Sequence, residues 1–282
     1  MDQNDAEAHV EVGGINYYTL LEEPANGGKN APCVLLIHAL MSNLHMWDAT
    51  VMALHGTGYR TLRYDHVGHH NTPPAHGEEA SYHMDDITRH AHQLLKARTG
   101  QSQAKAVIGC SIGGVMALRY AMLFPQDVDQ IISIAAPGIA SPERTKSLWT
   151  QRIEQFEEDL KSSDDTLCRA TVDRWFPGGR TQDDTVRTEA LKHVKSCSLD
   201  GYKLLADSIR GYDYTSEVKS IEKVKCLIVA GDEDGAIDPD HLREVAREVA
   251  GAKFELMETA GHLPPMQRPD LFNGLMLSFL GE

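Results

Sequence analysis

The chain has 282 residues, of which 41% are hydrophobic and 24% charged, and its formal net charge is −14 at pH 7. This length allows one large domain with a full core and an inserted subdomain. The negative charge argues against non-specific binding to nucleic acid, which needs a basic surface, and against attraction to an anionic membrane.

Targeting signals are not evident. The first residues, MDQNDAEAHVEVGG, lack a basic region followed by an apolar stretch, so no signal peptide is predicted. No apolar run reaches the ~18 residues that a membrane-spanning helix needs. The five cysteines lack CxxC spacing, which favours reduced, mostly buried thiols over a disulfide framework. We therefore expect a soluble, cytoplasmic protein.

Short apolar runs alternate with helical patterns along the chain. Runs typical of buried parallel strands lie at residues 33–40, 59–65, 104–110, 131–137, 226–231 and 253–259. Helical spacing is clear in SYHMDDITRHAHQLLKA, with Ser81 as the expected N-cap, and again from Gly113 to about Pro125. This alternation predicts an α/β fold with a mostly parallel central sheet and helices on both faces.

Residues 138–222 interrupt the alternation. They contain no convincing strand and have four helical patterns, around TKSLWTQRIEQFEEDL, DTLCRATVDRWF, DTVRTEALKHVK and SLDGYKLLADSIRGYD. We expect a helical lid at 138–222, inserted into a core formed by residues 1–137 and 223–282. Such an insertion would lie above the carboxyl edge of the sheet, where open α/β sheets bind ligands. The alternative is a set of extra helices that only thicken the fold.

The segment VIGCSIGG places two possible nucleophiles side by side, Cys110 and Ser111. Residues Gly109 to Gly113 match G-x-S-x-G, in which a sharp strand-to-helix turn carries the nucleophile at its apex. The flanking glycines centre Ser111, whereas a turn centred on Cys110 would need small residues where two isoleucines stand. Ser111 is therefore the candidate nucleophile, and Cys110 is interpreted as a packing residue at the strand end.

Acids and a histidine follow later strands in the order that this fold requires. Serine needs a base to remove its proton and a carboxylate to orient that base. The segment CLIVAGDEDGAIDP supplies acids just past a strand, and His262 comes just past the next one. This ordered Ser–acid–His series is far more specific than any one motif.

At this point the chain resembles the α/β-hydrolases, a family that includes lactonases, esterases and C–C-bond hydrolases. The resemblance rests on VLLIHAL, LRYDHVGHHNT, VIGCSIGGVMALRYAMLFPQDV, VAGDEDGAIDP and AGHLPPMQRPDLFNGLMLSFL, and so covers nearly the whole chain. Within the family, LIHALMSNLHMWD and the lid segments VDRWFP and GYKLLADSIRGYD look most like 3-oxoadipate enol-lactonases. The resemblance implies an α/β-hydrolase fold with an inserted helical lid.

The family pattern implies a role for each matching residue. Ser111 matches the nucleophile, His262 the general base and Asp234, which ends the G-x-x-D pattern, the orienting acid. Asp232 and Asp238 remain competitors for the third role, although they are more typical of a turn residue and a helix N-cap.

The oxyanion hole implied by the family would use the backbone N–H groups of Leu40 and Ile112. Two departures from the family pattern lie near it. The His-Gly pair is His38-Ala39 here, and alanine is excluded from some positive-φ conformations, so we expect the loop to be tilted. The common R-G-H-G stretch ends in the bulkier His70.

The remaining residue clusters and motifs do not indicate a metal or cofactor site. The cluster of Asp65, His66, His69 and His70 lacks the spacing of known metal sites, so no metal is expected. No nucleotide- or phosphate-binding loop is present, and the expected chemistry needs no cofactor. The chain's three tryptophans, Trp47, Trp149 and Trp175, fall in segments that could face the active site, and we expect them to form an apolar wall for the substrate.

These features predict an enzyme that hydrolyses a small-molecule lactone or ester through an acyl-enzyme. Two alternatives remain open. One is a carboxylesterase or a C–C-bond hydrolase of a secondary metabolite. The other is a small-molecule receptor that keeps the triad, since fold and triad alone do not decide function.

Overall fold

Eight strands form one sheet in the computed structural model, which describes residues 6–75 and 82–282. In chain order they are β1 (Glu7–Val12), β2 (Ile15–Glu22), β3 (Cys33–Ile37), β4 (Arg60–Tyr64), β5 (Ala104–Cys110), β6 (Val128–Ile134), β7 (Lys225–Gly231) and β8 (Lys253–Met257). Their spatial order is β1-β2-β4-β3-β5-β6-β7-β8. The pairings β1–β2 and β2–β4 are antiparallel and the others are parallel, which confirms the mostly parallel sheet.

Each of the six apolar runs corresponds to a strand, but one strand begins and ends three residues earlier than predicted. The run predicted at 131–137 forms β6 at Val128–Ile134 instead. The strand stops early because Ala135 has a left-handed backbone with φ of 49°, which an extended strand excludes. The hairpin of β1 and β2 was not predicted, since β1 alternates exposed and half-buried residues rather than forming an apolar run.

Helices in the described part of the chain are α1 (Asp48–Gly56), α2 (Met84–Thr99), α3 (Ile112–Leu123), α4 (Lys146–Ser162), α5 (Thr166–Trp175), α6 (Asp184–Lys195), α7 (Leu199–Arg210), α8 (Pro239–Glu248), α9 (Pro264–Gln267) and α10 (Pro269–Leu280). All residues of β3 and β4 are buried, so both faces of the sheet are covered. No helix among the described residues is long and apolar enough to cross a bilayer.

Helix α2 begins later than the sequence indicated. His83 is its N-cap, and the Asp86 carboxylate accepts a hydrogen bond from the His83 N–H at 2.8 Å, completing a capping box. The expected N-cap, Ser81, lies outside the described residues. The helix that follows the elbow starts at Ile112, immediately after Ser111.

Helices α4 to α7 lie between β6 and β7 and coincide with the four helical patterns of the sequence. We call residues 138–222 the helical insertion. Its α6–α7 junction rests on the loop that follows β4: the Ser198 N–H donates to the Gly68 carbonyl at 2.8 Å. A Cβ on Gly201 would lie 2.6 Å from the Gly68 Cα, so two glycines permit this close approach. The division into core and lid stays a prediction.

Candidate active site

Ser111 lies at the sharp junction between β5 and α3, with φ of 57° and ψ of −116°. This backbone is uncommon for a residue with a Cβ and is held by its neighbours. The Ser111 N–H donates to the Ile134 carbonyl at 2.8 Å. A Cβ on Gly109 would lie 1.8 Å from the Gly113 carbonyl oxygen, so the strand and the helix can meet at this turn only through glycine.

Cys110 is a buried residue behind this turn. Its thiol lies 3.5 Å from the His262 carbonyl oxygen, to which it donates. Burial, and to a smaller extent the Asp234 carboxylate, raises the pKa of the Cys110 thiol well above its usual value. The group therefore stays a neutral thiol at physiological pH, and a neutral thiol is a poor nucleophile.

Asp234 and His262 are joined by a hydrogen bond from the His262 Nδ1 to the Asp234 Oδ2 at 2.8 Å. Their side chains are 1% and 4% exposed, so this pair is shielded from water. The other carboxylate oxygen of Asp234 accepts the N–H groups of Ala236 at 2.7 Å and Ile237 at 3.0 Å. With Nδ1 bound to the carboxylate, the Nε2 of His262 is left to act as an acceptor of protons.

The competing acids occupy other positions. Asp238 caps the N-terminus of α8 by accepting the Asp240 N–H at 3.0 Å. Asp232 lies in the turn after β7 and accepts the Ala260 N–H at 3.2 Å. Neither carboxylate is hydrogen bonded to His262 among the described residues, whereas Asp234 is.

Helix α5 ends directly against the loop that carries His262. The Trp175 carbonyl accepts the His262 N–H at 2.8 Å, and the Trp175 ring stacks on the imidazole with centroids 6.4 Å apart. A Cβ on Gly261 would lie 2.1 Å from that carbonyl oxygen. Only glycine allows the helical insertion to come this close to the histidine.

In the part of the chain that the structure describes, the backbone N–H groups of Leu40 and Ile112, the pair expected at the oxyanion hole, have no hydrogen-bond acceptor. The Ala39–Leu40 peptide is fixed through its carbonyl oxygen, which accepts from the His38 Nδ1 at 2.8 Å and the Ser42 N–H at 2.9 Å. Because carbonyl and N–H point in opposite directions across a peptide plane, these bonds also fix the direction of the Leu40 N–H.

The histidines near this loop act as neutral hydrogen-bonding groups. His38 Nε2 accepts the His66 N–H at 2.9 Å, and His69 Nε2 accepts the Met41 N–H at 3.1 Å. Burial lowers the pKa of His38 well below its usual value, that of His66 to about 3 and that of His69 to about 4. No cluster of metal-binding side chains is found among the described residues.

The two departures from the family pattern are accommodated locally. Ala39 is not among the described residues with positive φ, and in this loop Met41 has the left-handed backbone, with φ of 64°. Alanine at position 39 therefore gives no reason for the tilt expected from the sequence. His70 does take a left-handed backbone, with φ of 45°, and its Nδ1 hydrogen bonds to the Asp65 carboxylate at 3.0 Å.

A cavity of about 130 Å³ lies beside the candidate catalytic residues. Ser111, His262 and Leu40 line it from the core. Helices α4, α5 and α7 supply the facing wall, which includes Trp149, Trp175, Arg152, Arg174 and Tyr202. The cavity therefore lies between the elbow and the helical insertion.

Of the three tryptophans expected at the substrate, Trp149 and Trp175 line the cavity. The expectation for Trp47 is corrected. Its side chain is fully buried, is not among the cavity-lining residues, and has its ring centroid 6.4 Å from that of Phe272 on α10. Trp47 is a core residue: it ends a short 3-10 helix, Leu44–Trp47, and its ring lies beside α10 rather than in the cavity.

The chain is similar in sequence to known α/β-hydrolases. A family model described as alpha/beta hydrolase fold matches residues 32–269. The chain is 25% identical over 246 residues to Lipase 1 of Psychrobacter immobilis, covering 87% of this chain and 75% of the lipase. It is 23% identical over 257 residues to 3-oxoadipate enol-lactonase 1 of Acinetobacter baylyi, covering 90% of this chain and 91% of that protein.

Among solved structures, the enol-lactonase from Burkholderia xenovorans has a TM-score of 0.84 at 24% identity, over 97% of this chain and 100% of that one. A hydrolase from Pseudomonas aeruginosa has a TM-score of 0.82 at 23% identity, over the full length of both chains (100%). Because the family model covers most of the sequence, the chain belongs to the α/β-hydrolase family.

Proposed function

We propose that this protein hydrolyses the ester bond of a small lactone or ester through an acyl-enzyme on Ser111. The observation that carries the proposal is the Asp234–His262 hydrogen bond of 2.8 Å beside a strained, cavity-lining serine. Family membership and the relatives named lipase and enol-lactonase support ester hydrolysis as the reaction class.

In the first half-reaction the Ser111 oxygen attacks the substrate carbonyl carbon, and His262 Nε2 takes the serine proton. Asp234 holds the imidazole in the required tautomer and stabilises its charged form. The N–H groups of Leu40 and Ile112 bind the negative oxygen that forms, which is worth about 3 kcal/mol for each such donor. The protonated His262 then gives its proton to the leaving alkoxide oxygen.

In the second half-reaction His262 removes a proton from water, which attacks the acyl carbon and releases the acid and Ser111. A lactone substrate keeps its alcohol tethered in the acyl-enzyme, so ring closure competes with water. We propose that the helical insertion acts as a lid that sets this competition, since α5 contacts the backbone of His262.

The nucleophile is tested by labelling with a fluorophosphonate and by kinetics of Ser111→Ala and Cys110→Ala. We expect Ser111→Ala to lose labelling and to retain less than ~1% of the wild-type rate, because loss of a nucleophile costs far more than this. Cys110→Ala, one residue away but buried behind the turn, is the matched control and should still be labelled. Loss of labelling in Cys110→Ala with retention in Ser111→Ala would overturn the assignment.

The substrate class is tested with a panel of γ- and δ-lactones, linear esters and β-diketones. Fast, multiple turnover of lactones or esters supports the proposal. Preferential cleavage of β-diketones would favour a C–C-bond hydrolase instead. One slow turnover accompanied by rearrangement of the insertion would favour a receptor, whose ligand remodels the lid for a partner protein.

A further inference from the structure

Two arginines of the helical insertion face the cavity without an acidic partner. Arg152 on α4 and Arg174 on α5 both line it. In the described part of the chain neither guanidinium has a carboxylate within ion-pair distance. This arrangement is unusual for a protein with a net charge of −14, in which carboxylates outnumber basic groups.

Local contacts hold both guanidinium groups in place. Arg174 donates to the Thr171 Oγ1 at 3.0 Å and to the Ala170 carbonyl at 3.2 Å. The Arg152 guanidinium lies over the Trp149 ring, 4.9 Å from its centroid. These contacts orient the two groups but leave their positive charges unneutralised.

The two arginines line the same cavity, and Arg174 is largely removed from water. Burial, with repulsion from Arg152, lowers the pKa of Arg174 to about 10, so it remains charged at neutral pH. Burial raises the pKa of Tyr202 on α7, and the charges of Arg152 and Arg174 oppose that rise. Two like charges at the wall of a cavity cost free energy unless an anion joins them.

The acid among the cavity-lining residues does not supply this anion. Asp238 is exposed and caps α8, where its carboxylate accepts the Asp240 N–H. Asp173, next to Arg174 in sequence, is paired with Arg187 instead. Among the described residues, no carboxylate of this chain therefore neutralises the two arginines.

We propose that Arg152 and Arg174 form a subsite that binds a carboxylate of the substrate, at a distance from the ester or lactone carbonyl that Ser111 attacks. The planar guanidinium fork matches a carboxylate in two hydrogen bonds, which gives orientation as well as affinity. This inference rests on the proposed function and adds to it the substrate class, carboxylated lactones or half-esters. Neutral long-chain esters lack the group that these arginines recognise.

The test compares two esters that differ only in one charge, 4-nitrophenyl hydrogen adipate and 4-nitrophenyl methyl adipate. Wild-type protein is expected to have a kcat/KM at least about tenfold higher for the free carboxylate. Arg174→Met and Arg152→Met should each lose about tenfold or more on the carboxylate and stay within about twofold on the methyl ester, because a hydrogen bond to a charged group is lost only in the first case.

The matched control is Arg169→Met, which removes the same charge from an exposed position of α5 that is paired with Asp165. It should change neither rate. A wild-type preference for the methyl ester, or an equal loss on both esters in Arg152→Met and Arg174→Met, would overturn the subsite while leaving the proposed function intact.

Failure of the proposed function has a different signature. If the wild-type protein hydrolyses neither ester, ester hydrolysis is wrong, and the subsite is then judged by calorimetric titration with adipate. Binding of adipate that is weakened in Arg174→Met and unchanged in Arg169→Met supports the anion site. Equal binding, or no binding, in wild type and Arg174→Met rejects it.

Discussion

Replacing His69 by glutamine is expected to make the stability of the protein less sensitive to acid. Burial lowers the pKa of His69 in the folded state from 6.5 to about 4. Between these values the unfolded chain binds a proton that the folded chain does not, so stability falls as the pH falls. Glutamine keeps an acceptor near the Met41 N–H but does not titrate in this range.

The magnitude follows from the difference in proton binding. Each pKa unit is worth about 1.4 kcal/mol, so His69 alone should cost the folded state about 2 kcal/mol between pH 7 and pH 5. The loss begins near pH 6.5 and levels off near pH 4, where the folded state also takes up the proton. Other buried histidines, His38, His66 and His193, add contributions of the same sign that remain in the variant.

The assay is urea unfolding followed by tryptophan fluorescence at pH 7 and pH 5. His69→Gln should lose about 2 kcal/mol less than wild type between the two values, whatever its stability at pH 7. His70→Asn is a control of opposite sign. The hydrogen bond to Asp65 raises the pKa of His70 above 6.5, so the folded state gains stability as the pH falls from 7 through this raised pKa, and the gain is complete below about 6.5. That variant should lose more than wild type. Equal losses in wild type and His69→Gln would refute the reasoning.

Three further outcomes are expected. Asp234→Asn should lower kcat on esters by about 10³–10⁴-fold with a small change in KM, since the imidazole tautomer is lost; a loss below about tenfold would point to another acid. Gly261→Ala should destabilise the fold by about 1–3 kcal/mol in thermal unfolding, because its Cβ would lie 2.1 Å from the Trp175 carbonyl oxygen. Trp47→Phe should lower the unfolding free energy by about 1–3 kcal/mol without changing KM. A raised KM would indicate that Trp47 contacts the substrate after all.

Local sequence was sufficient where local sterics decide the structure. Gly109 is required by its contact with the Gly113 carbonyl four residues later, and the five letters of G-x-S-x-G predicted the elbow, although Gly113 itself is required by the Ile37 carbonyl of β3. Buried parallel strands such as β3 were equally readable, because both faces of that strand are apolar. The β1–β2 hairpin was missed because its edge strand has half-exposed residues and no comparable signal.

Choices among similar residues depended on contacts across the chain. Four acids follow β7, and only the folded loop shows that Asp234 reaches His262. The three tryptophans look alike in sequence, yet α10 packs beside Trp47 while α4 and α5 turn Trp149 and Trp175 toward the cavity.

In the helical insertion, the sequence predicted the helices, but only the packing shows which of their charged side chains line the cavity. Its four helices were predicted from apolar spacing, but arginines on such helices read as a solvated face. Arg152 and Arg174 became candidates only when the packing of α4 against α5 placed both at one cavity wall.

The sequence by itself determined the sheet of parallel strands, the serine at its elbow and the order of acid and histidine after it. Those features depend on residue size, apolar periodicity and backbone conformation over a few positions. The tertiary structure decided which acid is hydrogen bonded to His262, which tryptophans line the cavity beside Ser111, and which charged side chains line it. These are distances between residues far apart in the chain, and such distances exist only once the loops and the insertion have packed on the sheet.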